Sequence, residues 1–333
     1  MRVRMLRRGT KCAVVWQPVV MSRVRLLVLA ALVVVAAACT AEAEPPAGDG
    51  GAPMVRVASG ADTETKLLAN VVAALLREAG YDVELVAFAD SRDSRHAMTL
   101  GAVDVRIGYS GESWLESLGR PNPPSDVRES IDTVREHDEG VGIVWLRPRF
   151  GDGLDAPPAN ATFAFVVQGP PSVDADLATM SQLASRLSER PDALVCVDQG
   201  FASRSDGLSA VLAAYSVRSD RPFLAATPEE AVLGVAAGEC LAGLSTTTDG
   251  MVWAYGLRPL VDDLGVFPAF VIAPQIRAGA LEADPQIRSA LQPMASRLTT
   301  AMVGRWNARV LAGEPFDRVG EAAVDELQAR PSQ

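Results

Sequence analysis

The chain has 333 residues, of which 48% are apolar, 22% charged and only 5% aromatic. It is long enough for two folded units at roughly 150 residues each, and too apolar to be a disordered chain. Seven basic and no acidic residues fall within 1–38, so 24 basic and 41 acidic residues lie beyond, and that net charge of −17 excludes a nucleic-acid footprint and a body held on an anionic membrane.

Residues 24–38 read VRLLVLAALVVVAAA and follow Arg23. A short apolar run behind positive charge, ending in small residues, is the pattern of a secretory signal. Residues 1–38 are therefore expected to be a leader, with Met21 an alternative start that would leave 1–20 untranslated. Ala36-Ala37-Ala38 before Cys39 resembles the lipobox of bacterial lipoproteins, in which the Cys is lipidated and becomes the mature N-terminus. An ordinary secretion signal with a coincidental Cys is the alternative. Residues 39–53 are rich in Ala, Glu, Pro and Gly and read as a flexible tether. Cys12 falls in the leader, which leaves Cys196 and Cys240 as an even pair in an exported, oxidising setting. A disulfide between them is expected, with two buried thiols as the alternative.

The folded body opens with a β-branched strand at 55–59 (VRVAS), stopped by Gly60. Apolar positions 67, 68, 71, 72, 74, 75 and 76 then make one face of a helix over 63–79, with Thr63 as N-cap and Glu64 beside the positive helix end. A strand at 83–88, a short helix at 94–100 and a strand at 103–107 complete a βαβ rhythm, which implies a parallel sheet. Ligands sit at the carboxyl ends of such strands, where Gly60 and Tyr109 both fall. A polar helix at 126–137 and a strand at 142–146 follow. A Gly/Pro-rich loop at 150–159 leads to a strand at 162–167. A second α/β unit reads as helix 175–188, strand 193–197, helix 206–215, helix 228–237 and strand 240–244. The stretch 245–277 carries the turn Thr248-Asp249-Gly250, the acidic pair Asp262-Asp263, the run Phe267-Pro268-Ala269-Phe270 and the apolar strand at 271–273. Residues 275–333 are mostly helical.

The chain thus leaves one lobe and returns to it. The expected fold is α/β: a two-lobed, periplasmic-binding-protein-like (type II) architecture with two hinge crossings and a cleft. Lobe I takes 54–161 and 267–333, and lobe II takes 162–266.

Catalytic patterns are missing. His96 and His137 are isolated, and Gly108-Tyr109-Ser110-Gly111 is followed by Glu112 where a nucleophile elbow needs Gly. Gly151-Asp152-Gly153 lacks the rest of a nucleotide fingerprint. Asp206 and Asp249 read as cap or turn residues. No metal site and no cofactor are expected. What remains is an aromatic and hydroxyl lining: Tyr109, Phe163, Phe270 and the run Thr246-Thr247-Thr248.

These motifs, taken in order, resemble the substrate-binding proteins of glycine betaine/choline/carnitine ABC importers over nearly the whole mature chain, from about 55 to 327. The matching elements are Ala58-Ser59 through Thr63-Glu64, Tyr109-Ser110-Gly111, the segment 142–148, Asn160 through Phe163, Asp206-Gly207-Leu208, Thr248-Asp249-Gly250, and Asp262-Asp263 through Phe270 and Pro274. The resemblance implies a quaternary ammonium held in a cage of tyrosines. Tyr109 matches a cage tyrosine; Phe163 and Phe270 stand where the family usually has Tyr; Thr246 stands where another cage Tyr is common. Ala161 and Glu112 replace polar residues, and Gly60 replaces a longer side chain. The expected ligand-binding set is Tyr109, Phe163, Phe270, Thr246, Asn160 and Glu112. With the lipobox and the missing catalytic patterns, the expected protein is monomeric, lipid-anchored and extracytoplasmic, and not an enzyme. It would carry a small solute to an ABC permease and its ATPase. A sensor or scaffold lipoprotein that kept the fold and binds a larger or aromatic ligand is the alternative.

Overall fold

The computed structural model describes residues 52–150, 157–204, 207–218 and 223–329. Cys39, the leader, residues 151–153 and Asp206 lie outside them.

In chain order, β1 (Met54–Ser59) is followed by α1 (Thr63–Glu78), β2 (Asp82–Ala87), α2 (Ser91–Thr99), β3 (Val105–Tyr109), α3 (Ser110–Glu116), α4 (Val127–Glu139) and β4 (Ile143–Trp145). The middle of the chain supplies β5 (Phe163–Gln168), α5 (Met180–Glu189), β6 (Val195–Asp198), α6 (Gln199–Ser203), α7 (Leu208–Ala214), β7 (Phe223–Ala226), α8 (Pro228–Ala236), β8 (Ala242–Thr246), α9 (Gly250–Ala254) and β9 (Leu257–Pro259). The chain returns through β10 (Ile272–Arg277) to α10 (Ala278–Ala283), α11 (Gln286–Arg297), α12 (Thr300–Leu311) and α13 (Phe316–Gln328).

Two sheets result, with the same plan. The first runs β2-β1-β3-β10-β4 and the second β7-β6-β8-β5-β9. In each, three parallel strands come from one stretch of chain. The fourth strand, β10 or β5, enters antiparallel from a crossing and pairs with an outer strand. The sheets are therefore mixed rather than purely parallel, because a strand that arrives from the other lobe enters against the βαβ direction.

Helix α1 shows why the first lobe holds together. Leu67, Leu68, Val71, Val72, Leu75 and Leu76 are all buried along its length. They join Val57 and Val105 of the sheet with Leu291, Trp306, Val319 and Leu327 of the C-terminal helices in one core. Its N-cap is Asp62 rather than Thr63: Asp62 Oδ1 accepts from the Thr65 N–H at 2.9 Å, because Asp62 takes the extended conformation a cap needs. The second lobe has its own core around Phe165, Leu187, Val195 and Val211. Phe267 is buried in this second core, whereas Ala269 and Val271 belong to the core around Trp145 and Ile131. The change of core therefore falls at Pro268.

Cys196, buried in β6, is disulfide-bonded to Cys240, which precedes β8, with Cα atoms 5.8 Å apart. A Cβ on Gly234 of α8 would lie 2.8 Å from Cys196 Sγ, so the helix lies directly over the bond only because that residue is glycine. Among the described residues, no helix is long and apolar enough to cross a membrane. The cysteines are 44 positions apart. Loop-closure entropy then makes the bond worth about 3–4 kcal/mol. A Cys196→Ala/Cys240→Ala variant should lose that stability in urea denaturation, and an unchanged midpoint would contradict it.

Candidate functional site

Two crossing segments meet between the lobes and set the site. Asn160 forms an antiparallel bridge with Val271. Its side-chain Oδ1 accepts from the Phe270 N–H at 2.6 Å, and the Ala161 N–H donates to the Phe270 carbonyl at 3.0 Å. Thr162 Oγ1 donates to the Pro268 carbonyl at 2.6 Å. From lobe II, the Thr247 hydroxyl donates to the Asn160 carbonyl and its N–H to the Thr162 carbonyl. Asn160 and Thr247 therefore hold backbone, and the side chains beside them are free to line the cleft.

Tyr109-Ser110-Gly111 and Phe270-Val271 form a single unit across β3 and β10. Tyr109 ends β3 and opens α3. Ser110 Oγ accepts from the Val271 N–H at 2.9 Å, and the Ser110 N–H donates to the Val271 carbonyl. A Cβ on Gly111 would lie 2.7 Å from the Ala269 carbonyl oxygen and 2.8 Å from the Phe270 ring. Only glycine lets that ring lie against the start of α3. On the lobe II side, Phe163 and Thr246 face each other in the β5–β8 register. Opposed residues share a sheet face, so the threonine sits beside the phenylalanine rather than replacing it at a distance. Phe163 also belongs to a ring cluster with Phe201 and Phe267, at centroid distances of 5.8 and 6.1 Å.

These residues line a run of connected cavities. Tyr109, Glu112 and Phe270 share one wall with Leu115. Phe270, Phe163, Phe201 and the loop Pro121-Asn122-Pro123 enclose about 430 Å³ between the lobes. Phe163, Phe201 and Thr246 line a further space of about 620 Å³ on lobe II. A pocket of about 130 Å³ extends from Tyr109 and Glu112 toward Gly60, Ser91 and Arg106. A Cβ on Gly60 would lie 2.2 Å from Thr65 Oγ1, whose hydroxyl donates to Asp62 Oδ2 at 2.5 Å. Here the glycine makes room for the cap of α1.

Charge at the site is mainly negative. Burial pushes the Glu112 carboxyl above its usual range, and its ion partner Arg106 stands 3.7 Å away. Arg106 is itself 4% exposed, and burial lowers its pKa; its Nη2 donates to Ser91 Oγ at 2.6 Å. The Tyr109 hydroxyl donates to Glu64 Oε1 at 2.7 Å, and Glu64 lines none of these cavities. Burial, then the Glu64 charge, holds the phenol well above its ordinary pKa.

Of the expected set, Tyr109, Phe163, Phe270, Thr246 and Glu112 line connected cavities, while Asn160 lines none of them and instead pins Phe270. Asp249 caps α9 by accepting from Met251 N–H at 2.9 Å. Asp262 accepts from the Tyr215 hydroxyl and from Phe267 N–H, so the acidic turn anchors the return crossing. His96 and His137 are exposed. Sequence reasoning missed Phe201, which lines two of the cavities; its place just past the carboxyl end of β6 was the available signal. Among the described residues, no group of His, Cys, Asp and Glu side chains is placed to hold a metal ion.

A family model, OpuAC, described as the substrate-binding domain of the ABC-type glycine betaine transport system, matches residues 53–325. A glycine-betaine-binding protein of Pseudomonas aeruginosa is 29% identical over 272 residues, covering 79% of this chain and 84% of that protein. The glycine betaine-binding protein YehZ of Escherichia coli is 28% identical over 285 residues, covering 83% and 90%. The solved apo structure of YehZ superposes with a TM-score of 0.74 at 25% identity, covering 83% of this chain and 99% of that one. A solved glycine betaine/carnitine/choline ABC transporter protein shares the fold, with a TM-score of 0.71 at 18% identity, covering 82% and 98%.

Gly111→Ala should cost about 1–3 kcal/mol through overpacking and push the Phe270 ring off its seat. Urea denaturation measures the cost. A variant as stable as the parent would show that the ring is not seated against α3.

Proposed function

The chain belongs to the family of substrate-binding domains of ABC-type glycine betaine transport systems, and on that premise we propose that it captures a quaternary ammonium solute between its lobes. It is a solute-binding component of an importer and not an enzyme. The observation that carries the ligand reading is that Tyr109 and Phe270 line one cavity beside the Glu112 carboxylate, and Phe270 and Phe163 line the adjoining one. A ring face attracts a cation by about 0.5–2 kcal/mol, more when desolvated, and a nearby carboxylate adds to the attraction. Thr246 has no ring face and the two phenylalanines have no hydroxyl to fix them. Losing one cation–π contact costs about five- to thirty-fold in affinity.

Glu112 also distinguishes between ligands. It favours a cation without a carboxylate, such as choline, over zwitterionic glycine betaine. The rings of Phe163 and Phe201 leave space for an apolar substituent on that cation. Delivery to a permease and its ATPase follows from the family. Anchoring at Cys39 is part of the same proposal, since two or more acyl chains hold a protein at the membrane where one does not.

Calorimetry should find choline bound more tightly than glycine betaine, with glycine betaine no tighter than tens of micromolar, about −6 kcal/mol. Tyr109→Ala should weaken choline at least five-fold. A sub-micromolar glycine betaine complex, or unchanged choline binding in Tyr109→Ala, would overturn the ligand reading. Cys39→Ala should release the protein from membranes or leave it unprocessed, and a variant that fractionates with membranes as the parent does would exclude the anchor.

A further inference from the structure

Glu64 lies in the first turn of α1 and lines none of the cavities described for the cleft. Its carboxylate is nevertheless the meeting point of both lobes. Oε1 accepts from the Tyr109 hydroxyl at 2.7 Å. Oε2 accepts from Asn307 Nδ2 of α12 at 2.9 Å. The Thr248 side chain, from the lobe II turn, acts to lower the pKa of the same carboxyl, and Asn307 Nδ2 also donates to the Thr248 carbonyl at 2.8 Å. Thr248 and Asn307 are buried.

The Tyr109 and Asn307 donors and the Thr248 side chain are all neutral. Among the described residues no basic side chain pairs with Glu64, and the arginines of α12, Arg305 and Arg309, pair with Glu326 and Glu314. The titratable groups facing Glu64 are the Tyr109 phenol from β3 and Asp62 at the cap of its own helix; Glu112 of α3 acts on that phenol. α12 and the lobe II turn present only Asn307 and Thr248. A buried carboxylate surrounded by neutral donors and other acids has no compensating charge of its own. Burial accordingly raises its pKa.

A strut between lobes would not require that charge, since glutamine could accept the Tyr109 proton as well. The charge has a use if a cation sits on the far side of the Tyr109 ring. Resting on the cage reading above, we propose that Glu64 is a positioning and affinity-setting residue. Its carboxylate fixes Tyr109 from behind and supplies the negative charge against which a bound cation is held. At a pH low enough for the carboxyl to be protonated in the free protein, that proton leaves to solvent as the cation arrives. Charge balances: one cation enters and one proton leaves. The sign follows from linkage. Below the pKa of Glu64 in the free protein, the cation must expel a proton and affinity falls as pH falls. Above it, affinity reaches a plateau. The window lies above the ordinary glutamate value of about 4.3.

The test uses tetramethylammonium and choline with the parent, Glu64→Gln, Tyr109→Phe, the double variant and Glu112→Gln. Calorimetry runs between about pH 5 and 8, in buffers of different ionisation enthalpy. Glu64→Gln should bind either cation about five- to thirty-fold more weakly at the plateau and lose most of the proton release. Tyr109→Phe keeps the ring and should show a similar loss, and the double variant should lose little more. Parent-like affinity in Glu64→Gln, or proton release that persists there and vanishes in Glu112→Gln, overturns the proposal. Carbon-detected NMR of the glutamate carboxyls separates this from the ligand reading. If the parent binds neither cation, the cage reading fails. Glu64 is then judged without ligand: a carboxyl titrating above the ordinary range, absent from Glu64→Gln, supports its buried, uncompensated state, and titration in the ordinary range refutes it.

Discussion

Pairing of the two crossing segments is the constraint on which the rest of the molecule depends. Residues 159–163 leave the first lobe and 267–272 return to it, and each satisfies the other's backbone groups through Asn160, Ala161 and Thr162. Unpaired, those buried amides and carbonyls would each cost about 1–3 kcal/mol. Because they are paired, Phe163 and Phe270 emerge at fixed places on either side of the crossing, and β5 and β10 enter their sheets antiparallel. The common plan of the two sheets and the position of the cleft follow from that one junction.

A second close approach lies behind the cleft. A Cβ on Gly250 of α9 would fall 2.7 Å from the Asn307 backbone, and one on Gly304 of α12 would collide with the Trp253 indole. The two helices, one from each lobe, therefore touch nearly backbone to backbone, next to the point where Thr248 reaches Asn307 and Glu64. The ring wall and this contact share Tyr109 through its bond to Glu64. The Tyr109 ring and the contact between the lobes are thus joined by a continuous set of hydrogen bonds.

Much of this was legible in the sequence, and the reasons for the rest are physical. Helix α1 declared itself because its apolar face is long and regular. Gly238 marked the end of α8 because it takes a positive φ of 78°. β7 did not declare itself: three of its four side chains are exposed at the sheet edge, so no alternation records it. β9 is three residues long. The antiparallel entry of β10 and β5 could not be read, because strand partners depend on crossings and not on local pattern. At the site, Tyr109, Phe163 and Phe270 stand out as scarce aromatics near strand ends and prolines, and the family resemblance gives them cage positions. The bond from Phe270 N–H to the Asn160 side chain, 110 positions away, leaves no local pattern in the sequence. Glu64 was read as a helix-end charge because Asn307, 243 positions distant, leaves no trace near it.

The central claim is that a cation is held between the lobes, within reach of these rings. A crystal structure of the protein with choline tests it most directly. The expected result places the choline nitrogen within about 6 Å of the ring centroids of Tyr109, Phe163 and Phe270. A choline bound on one lobe alone, with its nitrogen beyond reach of those three rings, would contradict the account.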